Sequence, residues 1–397
     1  MEIIPIFFMF LGHIWVDASQ GILPVALTQL KDLFSLNYFQ VGVIMMVLNV
    51  TSSVIQPFFG IISDRFSTGW FVPVGILWTA ATMGFLGWAP NYTFSVLLVG
   101  LAGLGTAAFH PRAMMAVFFT SGTRRGLSAA IFSTGGNLGF ALGPVLCIFL
   151  ILGFGLHATL GLVPFALLLV LAIVFYPSDF LKRESHSRDQ TRLIAEATHT
   201  IPWVSIIAVC LIVTLRSWVY LSFLTFLPMF LEAKGVPLSM GSLMLTVFLA
   251  GGAAAGLYGG HLSDRFGRRR VIVVTLLLYP ILASLFIIME GAWLWFLAAA
   301  SGAALLASFS VTIVLAQELM PRHLGLASGL ILGLGFGTGG LGSAFSGYLA
   351  DAFGLYTTMW ILALVPFIAV ALPPFIRPVT QGLPETGDIP VVQGGKA

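Results

Sequence analysis

Asp17 sits in the middle of the apolar run IIPIFFMFLGHIWVDASQGILPVAL, with His13 one helical turn before it. An ionisable side chain deep in such a run costs roughly 2.5–3.5 kcal/mol on insertion scales, and it usually faces a cavity or a partner. Few other residues share this situation. His110 and Arg112 fall in LLVGLAGLGTAAFHPRAMMAVFF, and Arg216 and Tyr220 in TLRSWVYLSFLTFLPMF. Glu318 lies near the end of a later apolar run, three residues before Pro321. A buried carboxyl can exist neutral as well as charged, which is what a proton carrier needs, so Asp17 is the candidate proton-coupling residue. The competing reading is a static ion pair with Arg216, since aligning Pro24 with Pro228 brings the two to within about one turn in depth.

Arg216 and Arg112 carry the planar fork that suits carboxylate and phosphonate groups. They are candidates for contact with an anionic substrate, against pairing with Asp17 or with helix-end carbonyls. His110 precedes Pro111 and is placed to bond a backbone carbonyl that the proline leaves free; His13 is read in the same way. Both remain cavity candidates beside Tyr220. Glu318 is expected in a gate ion pair with nearby loop arginines.

Other chemistries find no support in the sequence. The stretch GFGTGG at 335–340 matches Gly-x-Gly-x-x-Gly, but no strand precedes it and its surroundings are apolar, so it is not read as a dinucleotide site. There is no Walker lysine motif, no Cys/His cluster and no nucleophile constellation, so neither an enzyme nor a cofactor or metal site is expected. Cys147 and Cys210 stand apart inside apolar runs and read as packing residues.

The elements that must position these residues follow from composition. The chain is 58% hydrophobic and only 8% charged, with a mean hydropathy of +1.01, where a soluble domain is about 25% charged. A soluble fold this apolar could not cover its surface, so lipid is the natural solvent. Windows of about 20 residues give twelve candidate spans at 3–27, 38–63, 70–88, 92–119, 124–152, 156–176, 201–231, 237–262, 270–288, 292–320, 323–349 and 354–376. Barrel strands would alternate over about ten residues instead. The start has no basic region and no small-residue cleavage site, so no removable signal is read.

With the N-terminus inside, 14 of the 18 basic residues fall in cytoplasmic loops, as the positive-inside bias requires. Both termini are therefore expected in the cytoplasm, and the net charge of +3 reflects that asymmetry rather than nucleic-acid binding. The polar stretch 177–200 separates a six-helix bundle at 1–176 from a second at 201–377, with a Gly/Pro-rich tail at 378–397. Ser-Asp-Arg-Phe recurs at 63–66 and 263–266, each at the cytoplasmic end of the second span of its half, and RRGLSAAIFSTGGNLGFALG parallels HLGLASGLILGLGFGTGGLG. Two repeated six-helix halves mark a transporter, with its site between them near mid-membrane. The expected fold is all-α: twelve transmembrane helices in two pseudo-symmetric bundles.

The loop pattern Gly-x-x-x-Asp-Arg-x-Gly-Arg-Arg resembles the signature of the major facilitator superfamily. Gly260, Asp264, Arg265, Gly267, Arg268 and Arg269 match it; the first copy keeps Gly60, Asp64 and Arg65 but has Ser67-Thr68-Gly69-Trp70 where Gly-Arg-Arg would follow. The resemblance implies a cytoplasmic latch in which the Asp caps a helix end across the halves, a favourable placement for a carboxylate. NLGFALGP, with Gly139, Gly143 and Pro144, resembles the fifth-helix motif of antiporter members; plain close packing of small residues is the alternative. The segments VDASQGILPVAL, LNVTSSVIQPFFGIISDR, GLGTAAFHPRAM and LRSWVYLSFLTFLPMF, with their neighbours, are similar to fosmidomycin-resistance-type transporters. Arg112 stands where those relatives carry an acid, and Val99 where a fourth-helix arginine is expected. The resemblance implies a monomeric, multi-pass protein of the bacterial inner membrane that exports a small organic, drug-like or anionic compound by proton antiport. Solute symport and movement of lipids or amphiphiles are the alternatives.

Overall fold

The computed structural model describes residues 1–66, 68–122, 124–177, 180–182, 202–320 and 324–376. The expected linker at 177–200 and tail at 378–397 lie almost wholly outside the described residues. The described chain is helical throughout, with no strand.

In the first half, α1 (Ile3–Gly21) and α2 (Leu23–Leu33) form one broken rod, as do α3 (Tyr38–Ser53) and α4 (Gln56–Arg65). Each break falls beside a proline at the start of the second piece, Pro24 and Pro57, since proline has no N–H for the preceding turn. Then follow α5 (Phe71–Gly84), α6 (Tyr92–Thr120), α7 (Arg125–Phe154) and α8 (Leu162–Phe175). The second half comprises α9 (Trp203–Ala233), α10 (Leu238–Phe266), α11 (Arg268–Ile288), α12 (Trp293–Leu319), α13 (Leu324–Phe353) and α14 (Leu355–Ala369). Among the described residues, eleven helical segments are long and apolar enough to cross a membrane. The remaining expected span, 323–349, falls on α13.

The outer faces stay apolar. Phe175, Phe154, Leu152 and Phe149 are all more than two-thirds exposed, an arrangement that suits hydrocarbon and not water.

The halves meet along two pairs of helices, α3 against α13 and α7 against α10, while α2 lies against α9. The α3–α13 seam is closed by glycine. A side chain at Gly42 would lie 2.5 Å from the Ser343 carbonyl oxygen, one at Gly347 would meet the Tyr38 carbonyl, and one at Gly340 would lie 3.1 Å from the Asn49 Cβ. Without side chains at these points the two backbones come into direct contact.

One end of the bundle, where α3 begins, is tied together by hydrogen bonds. Asn37 and Gln40 form a reciprocal capping box at the α3 N-terminus. The Asp351 carboxylate, carried by α13, accepts from the backbone N–H groups of Tyr38 and Phe39. Lys31 stands over the Tyr38 ring, and Tyr38 meets Phe226 of the other half edge-on.

Candidate functional site

Three titratable side chains converge inside the first half. His13 and Asp17 are one turn apart on α1, and His110 comes from α6. His13 Nε2 lies 3.2 Å from one Asp17 carboxylate oxygen, His110 Nε2 lies 3.3 Å from the other, and the two Nε2 atoms are 3.1 Å apart. Asp17 and His13 are buried. Gln20, the next residue on the same face of α1, donates to Asp17 at 3.3 Å.

Backbone carbonyls fix how the imidazoles are used. His13 Nδ1 is 2.7 Å from the Phe132 carbonyl oxygen, and His110 Nδ1 is 3.0 Å from that of Thr106. A carbonyl only accepts, so both Nδ1 atoms carry hydrogen and donate. In a neutral imidazole the other nitrogen is then a bare lone pair. Both Nε2 atoms therefore present lone pairs to each other and to a carboxylate. Such an arrangement is held together by a proton or a cation placed among these atoms.

The surroundings keep the cluster rigid. Phe132 stacks on the His13 ring at 4.1 Å between centroids. Helix α7 forms a wall: Gly136 is so close that a side chain there would lie 2.7 Å from the Asp17 carboxylate and run into His13. Gly139 and Gly143 likewise lie against the α1 backbone, at Ile14–Ala18 and at Gly21, and Pro144 continues the helix.

The expected alternatives for these residues are corrected here. Asp17 does not pair with Arg216. The Arg216 guanidinium runs instead to α12, where Nη1 donates to Thr312 at 3.2 Å and Ser308 at 3.5 Å and the group lies over the Phe309 ring. Matching proline positions fixed its depth but not the direction in which its side chain leaves the helix. Arg216 is 1% exposed, and its Nη2 has no hydrogen-bond partner among the described residues. Arg112 is buried too, but it donates to the Leu181 carbonyl, just after α8, and is not among the residues that line the cavity between the halves. The sequence shows no Cys/His cluster; in the fold His13, Asp17 and His110, the two histidines 97 positions apart, each bring one potential ligand atom within 4.8 Å of the others.

Between the halves lies a small cavity. Gln20, Pro24 and Asn49 line it from the first half and Tyr220, Leu224 and Phe336 from the second. Tyr220 was expected there; Gln20 and Asn49 were missed, although Gln20 stands three residues from Asp17 in an otherwise apolar run. The cavity wall is apolar with a few polar points.

A profile comparison matches the Major Facilitator Superfamily over residues 9–244 and 209–388. The chain belongs to that superfamily. It is 34% identical to the MFS-type transporter YfnC of Bacillus subtilis over 94% of this chain and 92% of that one. It is 29% identical to the fosmidomycin resistance protein of Escherichia coli over 91% and 89%. Its fold is similar to a bacterial homologue of the human lysosomal transporter Spinster, solved inward-facing and occupied, with a TM-score of 0.77 at 16% identity over 94% and 96% of the two chains. The chain is thus a membrane transporter of this superfamily, not an enzyme.

The superfamily loop motif can be placed only in its second copy. Asp264 is ion-paired with Arg268, one turn on, and Arg268 also donates to Glu318 through Nε at 3.2 Å and Nη2 at 3.1 Å. All three belong to the second half, and among the described residues Asp264 has its ion pair there. Arg265 lies over the neighbouring Phe266 ring. The side chains of Asp64 and Arg65, at the end of α4, lie outside the described residues.

Proposed function

We propose that the protein is a proton-coupled secondary transporter that exports a small organic, drug-like or anionic compound by alternating access. The observation that carries the proposal is the buried His13–Asp17–His110 cluster, joined through Gln20 to the cavity between the halves. A proton held in the cluster with Asp17 turns a mutually repelling set of lone pairs into a hydrogen-bonded one. Its loss frees α6 from α1. Proton occupancy and helix packing are then one event, which is what coupling requires.

Arg216 supports the anionic substrate. It is a buried guanidinium with a vacant N–H among the described residues, one turn from Tyr220, which lines the cavity. The likeness to a fosmidomycin resistance protein supports export of a drug-like compound. The positive-inside count assigns the end closed by Asp351 to the outside and leaves the Arg268–Glu318 end to the cytoplasm. On that reading the halves are shut outside and the substrate site faces in. Asp264, Arg268 and Glu318 then serve as the cytoplasmic gate, and Asp264 crosses to the first half when that side closes. Twelve spans, both termini cytoplasmic, in a bacterial inner membrane complete the proposal.

The test is made in proteoliposomes. A thermal-stabilisation screen of purified protein finds a ligand, and its flux is then followed with and without an imposed pH gradient. Flux that follows the gradient in the antiport direction supports the proposal, and flux indifferent to the gradient would refute it.

A further inference from the structure

We propose that His13, Asp17 and His110 form a binding site for one divalent transition-metal ion of the Zn²⁺, Co²⁺ or Ni²⁺ class. The proposal concerns a ligand different from proton or substrate, and it holds whichever way transport runs.

The first argument is distance. The two Nε2 atoms are 3.1 Å apart, that of His13 lies 3.2 Å from Asp17 Oδ2, and that of His110 lies 3.3 Å from Asp17 Oδ1. An ion bound at about 2.0–2.1 Å with angles between octahedral and tetrahedral would set three such atoms roughly 2.9–3.4 Å apart. The Nε2 pair already has that spacing, each Nε2 has a carboxylate oxygen at a similar distance, and one ligand atom from each residue lies within 4.8 Å of the others, so a small adjustment of the Asp17 carboxylate seats one ion.

The second argument is orientation. Metal-bound histidines characteristically donate their other ring N–H to a carbonyl or carboxylate, which fixes the tautomer and aims the free nitrogen. Both histidines here do so, to Phe132 and Thr106. The carboxylate is steadied in turn by Gln20. The ligands are therefore held in their metal-binding form before an ion arrives.

The third argument is chemistry and access. Two imidazoles and one carboxylate suit borderline ions; Mg²⁺ and Ca²⁺ want oxygen alone. Helix α7 blocks one side at Gly136, while the His110 side chain is 20% exposed. That side gives the ion a way in and leaves coordination positions open to water or a ligand, as in exchangeable rather than structural sites.

The experiment uses the full-length protein in detergent with any affinity tag removed. Co²⁺ is titrated while visible absorption is recorded, and Zn²⁺ binding is followed by calorimetry. The expected result is one saturable ion per chain, with Co²⁺ bands bleached by Zn²⁺ but not by a large excess of Mg²⁺. Asp17→Asn and His110→Gln should each weaken binding at least tenfold. The wild-type titration judges the proposal without reference to how well the variants fold. No saturable binding, binding displaced by Mg²⁺, or binding unchanged in folded His13→Gln/His110→Gln protein, which leaves surface sites such as His157 and His261, overturns it. Because no transport is measured, failure here and failure of proton coupling remain separate results.

Discussion

The carboxylate of Asp351 accepts the backbone N–H groups of Tyr38 and Phe39 at 2.8 and 2.9 Å, so an acid from the last turn of α13 caps the first turn of α3 in the other half. The contact joins a negative charge to the positive end of a helix, a placement worth about 0.3–1 kcal/mol at an exposed position. It serves at this end as the superfamily's loop aspartate is expected to serve at the other. Asp351→Ala removes both acceptors and should favour opening at this end by roughly 1.6- to 5-fold, since 1.4 kcal/mol is a factor of ten. Accessibility of a cysteine placed in the cavity wall reports the shift; unchanged accessibility would show that the cap has no influence on the halves.

Asp17→Asn keeps the shape of the side chain but cannot cycle between charged and neutral forms. Because Arg216 pairs elsewhere, the substitution strands no guanidinium. We therefore expect near-normal expression, retained substrate binding and loss of gradient-driven transport. Undiminished pH-driven flux in a well-folded variant would end the coupling role.

Arg216→Met should separate stability from function. An uncompensated buried charge is destabilising, and an apolar residue of similar volume relieves that cost. The apo protein should melt higher than the wild type. Binding of an anionic substrate should fall at least tenfold. A variant that melts lower and binds normally would assign Arg216 a purely structural part.

Gly136→Ala places a methyl group against the Asp17 carboxylate and His13. Alanine favours a helix over glycine by about 1 kcal/mol, so α7 itself is not harmed. Coupled transport should drop sharply while the helical circular dichroism stays unchanged. Full activity would mean that the α7 wall gives way freely.

Sidedness has a direct test. Glu290 lies in the loop between α11 and α12, and Arg269 lies at the opposite end, at the start of α11; both are exposed. In intact cells an impermeant maleimide should label Glu290→Cys and spare Arg269→Cys. The reverse pattern would invert the topology.

The sequence carried the membrane class and most of the helix positions, because each depends on long-range averages of hydropathy. The pairing of His13 with Asp17 was visible as a spacing of four on one helix. The arrival of His110 at the same point was not, since it depends on how α6 is rotated against α1, which no local pattern records. Asp351 was missed for a related reason. An acid in the last turn of an apolar helix reads as solvated, and only the packing of α13 on α3 gives it two N–H groups to bind. The ties of Arg112 to Leu181 and of Arg216 to α12 show the same limit: depth is legible from sequence, direction is not.

The glycine seam between α3 and α13 bears on speed. Interlocked side chains must change rotamer before two surfaces can separate, and each change adds to the barrier. At Gly42, Gly340 and Gly347 there is no side chain to disengage. The two backbones can part and meet again as smooth surfaces, with little friction. What these glycines then govern is the turnover number: bulk added at Gly42 would slow the cycle even where both end states were still reached.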